Sequence, residues 1–216
     1  MYFRILHDDT SGELSYLLAD ADAREAVLVD PRAQDLPVLQ SLLAERDLRL
    51  RWVLRTHQHD DLAPQECAAL ARLGASLVQG QAGAGVHAAG QGDMLAFGNE
   101  VVSVLATPGH TPNCRSFAWR DRVFCGGLLG VDACPHQPYP AQPEALWDSV
   151  RRCLFTLPDE TLLFVGHARH AQAVTTVLQQ RRWHPWFATL SRDEFLTRMA
   201  ALRAHAPTPE PDLAPH

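Results

Sequence analysis

The chain has 216 residues, 46% of them hydrophobic, and a formal net charge of −6 at neutral pH. That length supports one large core; an acidic balance without a basic run excludes a nucleic-acid surface, and no apolar stretch approaches the length of a membrane span. The start, Met1 to Asp9, lacks the apolar segment of a secretory signal, and the five cysteines contain no Cys-x-x-Cys pair, so the expectation is a cytoplasmic protein with neither a disulfide framework nor a cysteine-only zinc site.

Leu14 to Asp20 and Ala26 to Asp30 read as strands joined by the polar turn 21–25, the second stopped by Asp30-Pro31. Leu36, Leu39, Leu42 and Leu43 fall at helical spacing and predict a helix to Arg46. Trp52 to Leu54 is a buried strand, Gln65 to Leu73 a helix closed by Gly74, and Ser76 to Gln79 a short strand. The Gly- and Ala-rich stretch 79–92 predicts a loop with a short helical piece. Met94 to Phe97 and Val101 to Ala106 predict strands about the turn 98–100, and Ser116 to Trp119 with Arg122 to Cys125 a hairpin. The Pro-rich run Asp132 to Gln142 predicts an irregular rim or lid. A helix from Pro143 to Leu157, with Trp147 and Phe155 in the core, precedes a strand over Thr161 to Val165. A helix over Ala171 to Arg182 and another opened by the capping box Ser191-Arg192-Asp193-Glu194 complete the predicted domain, 1–205. The Pro-rich tail 206–216 is expected to be disordered. This order of strands and helices predicts an α/β protein, a four-layer αββα sandwich.

Histidines recur where these strands end. His57 and His59 follow the strand ending at Leu54, with Asp61 two positions later. His110 follows the strand ending at Ala106, and His167 follows the one ending near Gly166. Imidazole nitrogen and carboxylate oxygen are ligands for zinc, iron or manganese, so His57, His59, His110, Asp61 and His167 are the candidate metal ligands. His7, His87, His136, His170, His184, His205 and His216 read as surface or hydrogen-bonded core residues. Cys125 reads as a small buried apolar group. Cys134, on the loop at the presumed mouth, is the candidate reactive thiol.

These segments resemble a family. Thr56-His57-Gln58-His59-Asp60-Asp61, Thr107-Pro108-Gly109-His110-Thr111-Pro112, Arg122-Val123-Phe124-Cys125-Gly126-Gly127-Leu128-Leu129 and the run Leu154 to Thr161 leading to His167 resemble the metallo-β-lactamase-fold superfamily. Within it the chain is most similar to persulfide dioxygenases, with glyoxalase II thioesterases next. The resemblance implies the αββα fold and one divalent ion, Fe(II) or Zn(II). It departs from the pattern at the chemistry. Leu62 stands where the signature ends in His, Gly127 where a metal-binding aspartate is expected, and Ala168 and Arg169 where the dioxygenases carry Asp and an aromatic residue. Cys134 matches a family cysteine, while Asp132 and His136 replace two arginines.

Three readings follow. One is a divergent persulfide dioxygenase oxidising glutathione persulfide-type substrates at a single iron. A second is a mononuclear zinc thioester or ester hydrolase in which Asp61 orients or deprotonates the metal-bound water. The third is a non-catalytic binding or regulatory member. The implied partner is a small thiol, persulfide or thioester, met by Cys134, Arg115 and Arg169, with no nucleic acid, no membrane, and pairing into a homodimer left open. Gly127→Asp is expected to raise metal affinity.

Overall fold

The structure, a computed structural model, describes residues 1–58, 63–134, 136–169 and 172–204, with the backbone alone at positions 63, 64, 131 and 169. Strands β1 (Tyr2–His7), β2 (Leu14–Asp20), β3 (Glu25–Val29), β4 (Arg49–Leu54), β5 (Ser76–Gln79) and β6 (Val86–Ala88) form one six-stranded sheet in that order. Strands β7 (Met94–Phe97), β8 (Glu100–Ala106), β9 (Arg115–Trp119), β10 (Arg122–Gly126), β11 (Leu162–Arg169) and β12 (Gln172–Thr176) form the second, ordered β12-β11-β10-β9-β8-β7. The helices are α1 (Leu36–Glu45), α2 (Ala63–Ala71), α3 (Pro143–Ser149), α4 (Val177–Trp183) and α5 (Arg192–Ala204). None is long and apolar enough to cross a membrane.

Strand β2 shows why the layers stack. Side chains alternate across a strand, and every residue of β2 is buried. Leu14, Tyr16 and Leu18 pack between the sheets with Val27, Phe117, Phe124 and Phe164. Leu17 and Ala19 point outward against Leu39 and Leu43 of α1. A strand apolar on both faces needs a layer on each side, and the second sheet repeats the arrangement. Its outer face, with Val123, Cys125 and Leu163, packs under Leu146 and Trp147 of α3, Val177 of α4 and Phe195 and Met199 of α5. The result is the expected αββα sandwich, with Trp147 and Phe155 in its core.

Three local expectations change. The stretch 79–92, expected as a loop with a short helical piece, contains β6, parallel to β5, and Tyr2–His7, for which no element was expected, is an edge strand paired with β2. The helix expected from Ala171 is instead strand β12 followed by α4. Its β-branched run pairs with β11, Val174 opposite Phe164 and Thr175 opposite Leu163, and side chains of this shape fit a pleated surface. Thr176 then caps α4: its hydroxyl accepts from the Gln179 N–H at 3.1 Å, and the Gln179 side chain accepts from the Thr176 N–H at 3.2 Å. The helix expected through Leu157 continues past α3 as one π-helical turn, Val150–Leu154. The tail 206–216 lies outside the described residues.

Candidate metal centre

The site forms at the ends of β4 and β11, and each histidine there is fixed by its backbone neighbours. Thr56, just beyond β4, donates its N–H to Asp30 Oδ1 and its hydroxyl to Asp30 Oδ2, both at 2.7 Å, and accepts the Arg115 N–H at 2.7 Å. Its Oγ1 also lies 2.8 Å from His57 Nδ1. With the hydroxyl proton directed to Asp30, Oγ1 accepts from His57, so Nδ1 carries the proton and Nε2 keeps the lone pair. Orientation of a ligating imidazole through its other nitrogen is a common device of metal sites. Asp30 sits at φ 48°, a left-handed conformation that Asp tolerates better than most residues. Burial pushes its carboxyl up to about 6 despite the two bonds from Thr56, leaving it mainly ionised at neutral pH.

His167 lies within β11, where pairing with both neighbouring strands becomes irregular. Contacts from the first sheet hold it: Glu13 bridges His167, Ala168 N–H donates to Gly12 at 2.7 Å, and the Tyr16 hydroxyl donates to the Val165 carbonyl. The residue is 6% exposed, and among the described residues neither ring nitrogen has a hydrogen-bond partner. Glu13 is 4.0 Å from Nε2. Such isolation costs about 1–3 kcal/mol per buried polar group when nothing satisfies it. Burial, reinforced by nearby His136, holds the imidazolium down to about 4, so the ring is neutral and offers a lone pair.

Cys134 meets these two rings. One donor atom each from His57, Cys134 and His167 lies within 4.8 Å of the others, the one such cluster of three or more among the described residues. Two imidazole nitrogens and a sulfur, one imidazole without a hydrogen-bond partner among the described residues, fit a divalent ion. A polar cleft of about 340 Å³ opens beside His57, with Gln58, Gln79, Gln81, Asn113 and Gln137 on its walls. A second, of about 350 Å³, reaches His167 from the side of Trp183 and Gln180.

His110 has another neighbourhood. Its ring centroid is 4.9 Å from that of His57. Its Nε2 donates to the Gln137 carbonyl at 3.3 Å, while the Gln137 amide donates back to the His110 carbonyl. The loop segment 137–142 is thus closed onto Gly109 and His110. Gly127 packs against the ring's other edge: a Cβ there would overlap Nδ1 and come within 2.7 Å of Cε1 and 2.9 Å of Cγ. At Gly126, with φ 54°, a Cβ would overlap Thr56 Oγ1. Both glycines are required by the histidine packing.

Three expectations about the site are therefore revised. The space of a side chain at 127 is filled by His110, so Gly127→Asp meets a ring instead of an open coordination position. Arg115, expected to meet an anionic substrate, donates to the carbonyls of Gly80, Ala89, Asn113 and Cys114 and braces the cleft wall. Cys134, the candidate reactive thiol on the loop at the presumed mouth, is 1% exposed. Cys125 is a buried apolar group as expected; its thiol donates to the Phe164 carbonyl at 3.2 Å and burial pushes it up to about 12. His59, Asp61 and Leu62 lie outside the described residues, as does the side chain of Arg169. Asp30 and Thr56 were not singled out from sequence as functional: Thr56 entered only as the first residue of the histidine motif, and the signal at Asp30 was Asp-Pro closing a strand, which reads as punctuation.

No family model matches the chain. The mitochondrial persulfide dioxygenase ETHE1 of Homo sapiens is 32% identical over 217 residues, spanning 94% of this chain and 82% of that protein. A hydroxyacylglutathione hydrolase of Cereibacter sphaeroides is 35% identical over 167 residues, 73% of this chain and 63% of that protein. Among solved structures, ETHE1 from Myxococcus xanthus matches with a TM-score of 0.84 at 38% identity, over 97% of this chain and 94% of that one. A metallo-β-lactamase from Staphylococcus aureus matches with a TM-score of 0.78 at 21% identity, over 97% and 68%, a likeness of fold.

Proposed function

Because the chain belongs to the persulfide dioxygenase family of the metallo-β-lactamase-fold superfamily, we propose that it oxidises a small thiol persulfide with O2 at a single divalent ion. The observation that carries this reading is the gathering of half-buried His57 with buried Cys134 and His167 where β4 and β11 end, beside clefts of small-molecule size. Those three residues would hold the ion. A ferrous ion there supplies the activation of dioxygen. Adding both oxygen atoms to the outer sulfur converts RSSH to RSSO2H; water then cleaves the S–S bond, giving RSH and sulfite.

The chain's own residues bind and orient. Asp30 and Thr56 fix the His57 tautomer, and burial keeps His167 neutral at working pH. On the walls of the cleft beside His57, the side-chain oxygens of Gln58 and Gln79 are buried without a hydrogen-bond partner among the described residues. They are acceptors for N–H or O–H groups, which a peptide-like thiol such as glutathione provides. Gln79→Met keeps the volume and removes the acceptor. It is expected to raise KM for glutathione persulfide about fivefold, the equivalent of one hydrogen bond, with kcat little changed. An unchanged KM would move the substrate to the cleft beside Trp183.

The deciding experiment is oxygen uptake by iron-loaded protein prepared without air. One O2 consumed per glutathione persulfide, with sulfite formed, is the expected result. The N,N,S donor set also suits zinc, which favours thioester hydrolysis as the second reading. Zinc-loaded protein that cleaves a hydroxyacyl thioester, with iron-loaded protein inert toward O2, would replace the first reading by the second.

A further inference from the structure

We infer that Cys134 binds the resident ion as a thiolate, supplying from the loop after β10 the negative charge that Gly127 does not supply from the bend itself. The inference rests on the metal-dependent reading above and deepens it. Three observations support it.

First, position 127 cannot deliver a carboxylate while the His110 ring fills that space. Second, Cys134 is 1% exposed and its sulfur shares a 4.8 Å cluster with donors of His57 and His167, although it comes from the loop after β10 and not from the strands that carry them. Third, His167 is buried with both ring nitrogens unpartnered among the described residues, so one member of the cluster has a lone pair ready to give to a Lewis acid.

Charge decides what the third donor must be. A divalent ion held only by neutral imidazoles would have no negative charge among its own donors, leaving Asp30 and Glu13 to offset it from outside the donor set, and poorly compensated buried charge is strongly disfavoured. A thiolate halves the ion's charge, as a carboxylate would. The thiol proton leaves to solvent as the S–metal bond forms, and no oxidation or reduction is involved. Sulfur also changes selectivity: thiolate donors favour zinc and other thiophilic ions over magnesium or manganese. Cys134 thereby changes from a candidate substrate-handling thiol into part of the metal's holding set.

The test uses the full chain, purified without air, stripped of metal and titrated with Co(II). The expected spectrum of the unaltered protein contains a near-ultraviolet sulfur-to-cobalt charge-transfer band saturating at one ion per chain. In Cys134→Ser that band is absent and the ion binds about 10–100-fold more weakly, the loss typical when a group supporting a metal site is replaced. Cobalt bound by the unaltered protein without a sulfur band overturns the inference, whatever the variant does. A band that persists in Cys134→Ser also overturns it and assigns the sulfur to another cysteine. No binding at all sinks both the inference and the metal-dependent reading. A band with one cobalt per chain, combined with no O2 uptake by the iron form, leaves the ligand in place and removes only the proposed reaction.

Discussion

Gly127→Asp should lower metal content and destabilise the protein, although the family pattern places a metal-binding aspartate at this position. The Cβ alone overlaps His110 Nδ1, and the ring has little room to yield. The His110 ring is tied to Gln137, its backbone carbonyl accepts from Ala141 at 3.0 Å, and the residue is fully buried. Overpacking of this kind costs about 1–3 kcal/mol, and a buried carboxylate adds to it. The expected result is a loss of about 3 kcal/mol in urea unfolding for the Asp variant and somewhat less for Gly127→Ala. Bound metal per chain should fall in both, because displacing His110 presses on His57, whose ring lies against it. Elemental analysis and denaturation of the two variants check this. An Asp variant that gains metal at unchanged stability would show that His110 swings aside and that the carboxylate site is recoverable.

Asp30→Asn should separate metal affinity from stability. The ionised carboxylate accepts the Thr56 hydroxyl proton, which leaves Thr56 to accept from His57 Nδ1. An asparagine NH2 turned toward Thr56 reverses the relay: Thr56 then donates to Nδ1, and His57 presents a protonated Nε2 to the site. Metal affinity should drop about 10–100-fold, with the backbone at φ 48° as well suited to Asn as to Asp.

Stability should behave differently. The folded carboxyl titrates at about 6, above its ordinary value of 3.8. The folded state therefore holds the proton more tightly than the unfolded chain between these values. Asp30's contribution to the stability of the metal-free protein is greatest below pH 4, declines as pH rises through 6 and is flat above, opposite in sign to that of His167, whose ring burial holds down to about 4. The Asp30 decline is about 3 kcal/mol. In Asp30→Asn this component disappears, so at pH 7 the variant should be at least as stable as the parent while binding metal less well. Competition with a chelator and urea unfolding from pH 4 to 8 measure the two effects. Equal metal affinity in parent and variant would remove Asp30 from the site.

The layered fold was readable because its causes are local and periodic. Leu36, Leu39 and Leu43 recur at helical spacing, and Leu14 to Ala19 is apolar on both faces. These patterns dictate a helix on one side of a doubly covered sheet. The expectation failed where two periodicities overlap: the run Gln172 to Arg182 satisfies a helix in part, and strand pairing of Val174 and Thr175 with β11 settled its first half. Edge strands β1 and β6 are short and only partly buried, so their sequences carry little alternation to read.

By itself, the sequence determined that strand-end histidines converge on one edge of an αββα sandwich, since strand direction and side-chain alternation are local properties. Tertiary structure decided which donors meet. Cys134 joins His57 and His167 because the loop after β10 folds back over the ends of β4 and β11, a packing result that spacing along the chain does not encode. The same packing puts the His110 ring where a side chain at 127 would go, so the missing carboxylate reflects occupied volume. Contact between residues far apart in sequence follows from how the sheets close on one another, and only the closed fold reveals it.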